Sequence, residues 1–107
     1  MEDIIKTVTE FGIALLEKQH KFFLDGFIDN SEHVSAIKRI ADAAYGYLKQ
    51  KGVNLDSAKK VKKELISHGK GLFVARWMMI SEEDEEPQGE EDRREARRTF
   101  DELLKEE

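Results

Sequence analysis

Glu17-x-x-His20 has the spacing by which helical bundles present a carboxylate and an imidazole to one metal ion, and Glu64 and His68 stand one helical turn apart. Such sites combine two motifs of the first kind with further inward-facing glutamates, and this chain has one. At ~100° per residue Glu17 falls on the side of its segment away from the apolar positions, toward water. His68 suits a helix C-terminus, where a cation meets the negative end of the dipole. His33 falls in a first helical turn and is expected to be exposed. Gly69-Lys70-Gly71 lacks the spacing of a phosphate-binding loop. With no nucleophile–base pair either, no catalytic residue, metal site or cofactor is expected, and the chain is read as non-enzymatic.

Charge is the other chemistry on offer. Residues 1–37 carry seven acids and three bases (net −4), residues 38–79 three acids and ten bases (net +7), and residues 80–107 thirteen acids and five bases (net −8), which sum to the net −5 of the chain. The basic block centres on Lys59, Lys60, Lys62 and Lys63, on the outward side of a helix whose inward positions are Ala58, Val61 and Leu65, with Lys38, Arg39, Lys49 and Lys51 from the helix before. Arg39, Lys59, Lys60, Lys62 and Lys63 are the candidate contacts for nucleic acid or an acidic partner, because clustered cations neutralise phosphates or carboxylates with salt-sensitive affinity. The acidity of the whole, with a pI near 5.3, argues against general nucleic-acid affinity.

Ile37-Lys38-Arg39-Ile40-Ala41-Asp42-Ala43-Ala44 resembles the first helix of a repressor-type helix-turn-helix. Gly52-Val53-Asn54-Leu55-Asp56-Ser57-Ala58-Lys59-Lys60-Val61 is similar to the turn and recognition helix of the lac-repressor family. The resemblance implies that Ser57, Lys59 and Lys60 face DNA. It covers under a quarter of the chain and departs from the family at one point. There the two pieces abut, whereas here Tyr45 to Lys51 lengthen the first by about two turns.

These residues need helices to position them. Ile4, Val8, Phe11, Leu15 and Phe22, flanked by Ile5, Leu16 and Phe23, recur at three- and four-residue steps and give a first helix with a wide apolar face. Ile5, Gly12, Gln19 and Gly26 lie along the middle of that face. Gly12 implies close approach of another helix backbone, Gln19 a polar residue that fixes register or else marks the edge of an incompletely covered groove, and Gly26 a C-terminal cap. Asn30-Ser31-Glu32 signals a second helix, striped by Val34, Ile37, Ala41, Ala44 and Leu48 and stopped at Gly52. A third starts at Asn54 to Ser57 and ends at His68-Gly69. Leu72 to Ile80, apolar except for Arg76, is expected to be a buried fourth helix. Ser81 to Glu86 is acidic, Pro87-Gln88-Gly89 breaks the chain, and residues 90–106 form a last helix with Ala96, Phe100, Leu103 and Leu104 on one narrow face.

The expected fold is therefore all-α: a small four-helix bundle, residues 1–80, followed by an acidic linker and an additional C-terminal amphipathic helix, residues 81–107. The absence of cysteine, of a secretion signal and of any apolar run near the ~20 residues of a membrane span points to a cytoplasmic protein without membrane contact. Phe22, Phe23, Phe27, Ile28, Phe73, Trp77, Met78 and Met79 are many large side chains for so small a core, and any left uncovered would form a dimer or partner interface. The function this supports is a regulatory adaptor, inhibitor or assembly factor, of a kind found among phage and mobile elements. It would act by protein–protein binding, with Phe100, Leu103 and Leu104 as a partner-helix face. The alternative is a nucleic-acid-binding module, or the small subunit of a nucleoprotein complex, in which the acidic tail modulates the lysine-rich helix.

Overall fold

In the computed structural model, which describes residues 2–24, 29–84 and 90–106, every regular element is a helix: α1 (Glu2–Leu24), α2 (Asn30–Gln50), α3 (Leu55–Asp84) and α4 (Glu90–Glu106). The helix ends follow local chemistry. Asp29, one residue before the expected signal, caps α2 by accepting the Glu32 N–H at 2.8 Å. At the other end Val53 donates to the Leu48 carbonyl at 3.0 Å and Gly52 to Lys49 at 3.1 Å, with Gly52 at φ +80°. That paired closure needs a left-handed residue, which glycine supplies without steric cost. Asn54 then starts α3 by accepting the Asp56 N–H at 2.8 Å. Gly26 and Pro87-Gln88-Gly89 lie outside the described residues.

The expected break at His68-Gly69 is absent. Residues 55–69 and 72–80 belong to one 30-residue helix, which also runs through Ser81 to Asp84, so four helices replace the expected five. Glycine inside a helix costs about 1 kcal/mol relative to alanine, which is why Gly69 reads as a stop. Its role is steric instead: a Cβ on Gly69 would stand 2.5 Å from Cγ2 of Ile37, which is fully buried in α2. Gly12 likewise makes room, though for the Leu65 side chain, 2.8 Å from its would-be Cβ, and not for a helix backbone.

Contacts along α3 give the topology. Val53 follows directly on α2, Lys62 meets Asp42 at 2.9 Å, Gly69 faces Ile37, and Phe73 faces His33 with ring centroids 5.9 Å apart. The order shows α2 and α3 lying antiparallel over most of α2, not crossed as in a helix-turn-helix, so the repressor resemblance does not extend to the geometry. On one side, α1 runs alongside α3, with Gly12 at Leu65 and Glu17 at His68. On another side, α4 runs against α3 in the opposite sense, with Phe100 at Phe73 and Asp101 at Lys70. Both α1 and α4 pack on α2 and α3, and among the described residues neither approaches the other. The result is 49 Å long and 23 Å across, its length matching the ~45 Å rise of α3.

The core holds Leu16 from α1, Val34, Ile37 and Leu48 from α2, Leu65 and Phe73 from α3, and Phe100 from α4, all essentially without solvent contact. Burying each such side chain is worth about 1.5–3 kcal/mol. The Gln19 side chain, half-buried, makes no hydrogen bond among the described residues, and nothing supports a register role for it.

Two glycines two residues apart test the packing of α3. A Cβ on Gly71 meets nothing within 4 Å. Gly71→Ala is expected to raise unfolding stability by about 0.5–1 kcal/mol, and Gly69→Ala to lower it by about 1–3 kcal/mol, both read by urea denaturation.

Candidate functional site

A large apolar opening lies on the described surface, and α4 does not line it. Between α1 and α2, on the side away from α3, lies an open groove of about 560 Å³. Its lining includes small residues, buried Gly12 from α1 and Ala44 from α2 with exposed Ala43 beside them. Its walls are Val8, Phe11 and Leu15 facing Ile40 and Tyr47, with Thr7 and Arg39 as the other polar-bearing lining residues. Phe11 is 65 % exposed, Tyr47 46 % and Leu15 38 %. The groove follows from the sequence of α1. At ~100° per residue its apolar positions from Phe11 round to Ile13 cover an arc of roughly 200°, wider than one packing seam. Leu16 and Gly12 face the core, and the other edge of the arc, Phe11 and Leu15, is left in water. Chemically the lining offers two hydroxyls and a guanidinium but no carboxylate, imidazole or thiol to act as a general base.

The residues expected to form a partner-helix face are placed elsewhere. Phe100 is fully buried, edge-on to Phe73 with centroids 5.5 Å apart, and Leu103 and Leu104 are half-buried against the core. Asp101 accepts two hydrogen bonds from Lys70 Nζ, at 2.9 and 3.1 Å. In this structure α4 docks on its own chain.

The basic candidates divide. Lys59, Lys60 and Lys63 are exposed on α3 with no ion pair among the described residues, whereas Lys62 is held by Asp42 at 2.9 Å and lies 5.5 Å from the centre of the Tyr45 ring. Arg39 is not with them. It lines the α1–α2 groove, as the single charged residue there. Of the aromatic surplus, Phe73 is buried, Trp77 and Met78 are half-buried and Phe22 is exposed; the side chains of Phe23, Phe27, Ile28 and Met79 lie outside the described residues. The side chains that do line the open surface, Phe11, Leu15 and Tyr47, were not singled out by composition. The width of the α1 arc is the signal that would have found them.

The histidines meet at the junction of α1, α2 and α3. His33, expected at the surface, is fully buried, with the His20 ring 5.8 Å away on one side and Phe73 stacked at 5.9 Å on the other. Val34 and Ile37 share its buried side of α2, and the start of α2 lies against α1 and α3 where a free terminus would face water. Burial, then the neighbouring His20 and Arg76, push its imidazole from 6.5 down to about 4. His20 is also lowered, by burial and Arg76, with Glu17 opposing. Glu17 Oε1 also lies 3.6 Å from His68 Nε2 on α3. Among the described residues no three histidine or carboxylate groups gather as metal ligands would.

His33 is neutral in the folded chain and takes a proton on unfolding. Its contribution is fully present above pH 6.5 and is lost as the pH falls toward about 4. Between pH 7 and pH 4.5 wild type is expected to lose on the order of 2–3 kcal/mol more stability than His33→Leu, compared by denaturant unfolding at both pH values. Equal losses would show that His33 is not the titrating group.

Among the described residues no helix is long and apolar enough to cross a membrane. No protein-family model, no curated protein and no solved structure matches this chain.

Proposed function

We propose that the chain is a non-enzymatic interaction protein, an adaptor, inhibitor or assembly factor, which binds a protein partner through the groove between α1 and α2. The observation that carries this reading is Phe11, 65 % exposed on the wall of an apolar groove that the chain's own fourth helix does not cover. Full burial of a phenylalanine is worth about 1.5–3 kcal/mol, and folding alone recovers little of it here. Aromatic residues beside small-residue pockets are where binding energy concentrates in protein interfaces. On α4, by contrast, Phe100 is already buried against Phe73 of α3, and Leu103 and Leu104 pack against the core.

Lys59, Lys60 and Lys63, exposed and outside any ion pair among the described residues, favour a second reading in which this face of α3 meets nucleic acid. One experiment separates the two: affinity recovery of partners from cells by wild type, Phe11→Ala and a Lys59, Lys60, Lys63 to Glu variant, each with and without nuclease. The groove reading expects a protein partner that survives nuclease and the lysine changes, and whose affinity drops about tenfold or more with Phe11→Ala. Recovery lost to nuclease and to the lysine changes, but indifferent to Phe11, would replace it with the nucleic-acid reading. Because Phe11 is largely exposed, its truncation is expected to leave stability within about 0.5 kcal/mol.

A further inference from the structure

Resting on the groove as a protein-binding site, we infer that its occupant is an amphipathic helix of another protein. That helix is anchored by apolar side chains spread over two turns and carries a carboxylate placed to meet Arg39.

The shape of the groove selects a helix. The α1–α2 pair has two faces, and α3 already lies along one, with Leu65 set against Gly12. The open face presents the same two antiparallel helices, lined in part by the small residues Gly12, Ala43 and Ala44, which leaves room for a large anchor. Its lining runs from Thr7 to Leu15 on α1 and from Arg39 to Tyr47 on α2. Eight residue steps at ~1.5 Å span about 12 Å, which fits the ~10.5 Å between anchors i and i+7 of a helix docked in a groove.

The charge selects its polar residue. Arg39 is the single ionised group on the lining and no acid accompanies it there. A lysine or arginine brought against it would be repelled, and a carboxylate would be held at the end of the groove near Leu15. The same fact disfavours a second copy of this chain. A two-fold dimer through this face would bring the same patch from both sides, and that patch has no carboxylate to offer Arg39.

The test uses a displayed library of helical peptides about four turns long, with leucines fixed at i, i+4 and i+7 and the flanking positions randomised. It is selected against the full chain, Arg39→Glu and the groove-filling Ala43→Trp, with Phe11→Asp as a second groove variant and circular dichroism to establish that each is folded. Wild type is expected to enrich aspartate or glutamate beside one terminal anchor, and Arg39→Glu to enrich lysine or arginine at the same place. The best acidic peptide should bind Arg39→Glu about fivefold or more weakly and bind neither groove variant measurably. Groove-dependent peptides with no acidic preference, or indifferent to Arg39→Glu, would overturn the carboxylate while leaving the groove as a protein-binding site. Peptides that ignore both groove variants would overturn both. A concentration-dependent dimer in sedimentation, abolished by Ala43→Trp, would overturn the inference in favour of a second copy.

Discussion

The position of α4 depends on Phe73. This ring lies in α3 between His33 of α2 at 5.9 Å and Phe100 of α4 at 5.5 Å, with Trp77 one turn further along at 6.0 Å. Nearly all of its surface is buried, and so is all of Phe100. Tilted and edge-on ring pairs at such separations add about 0.5–1.5 kcal/mol each to the apolar burial. With Ala96 buried beside it, the narrow apolar face of α4 is used up on α3 and α2. That choice settles which surface is left over. α4 covers the side of the α2–α3 pair opposite to α1, so nothing in the described chain covers the outer face of α1 and α2.

How much of this was legible depends on what a residue can signal by itself. The helical class, the stop at Gly52 and the bounds of α4 follow from periodicity and capping, which are local. The continuity of α3 did not, because a glycine that ends a helix and a glycine that admits a neighbour look alike in sequence. Gly69 is the second kind only because Ile37 is packed over it, and that contact joins residues far apart in the chain. His33 failed for the same reason. Its place in a first helical turn suggested exposure, and only the docking of α1 and α3 over that turn buries it.

The groove was missed through a different error, that of counting large side chains without asking which arc they occupy. Phe73 and Phe100 are large and buried, while Phe11 is as large and exposed. The difference lies in angle. Phe73 and Phe100 meet on facing helices, whereas Phe11 stands at the edge of an arc too wide for the neighbours α1 has. An amphipathic helix with a surplus arc is the sequence mark of a helix with one more neighbour than the chain supplies, and the proposed partner helix would be that neighbour.

The three charge blocks take on a narrower meaning in this light. Asp101 from the acidic last block reaches Lys70 from the basic middle one, and Asp42, an acid inside the basic block, neutralises Lys62. Exposed pairs of this kind contribute about 1 kcal/mol or less, too little to fold the chain. Charge therefore adds to the docking of the acidic helix on its own protein. Arg39 stands apart from that compensation: it belongs to the basic block by sequence, yet it lines the groove, where no acid of the lining answers it. A charge segregation that reads in the sequence as one basic surface becomes, in three dimensions, lysines on α3 and a single cation beside an apolar cleft. The second arrangement carries the more specific information, since a lone charge next to hydrophobic walls constrains both the sign and the position of what can bind there.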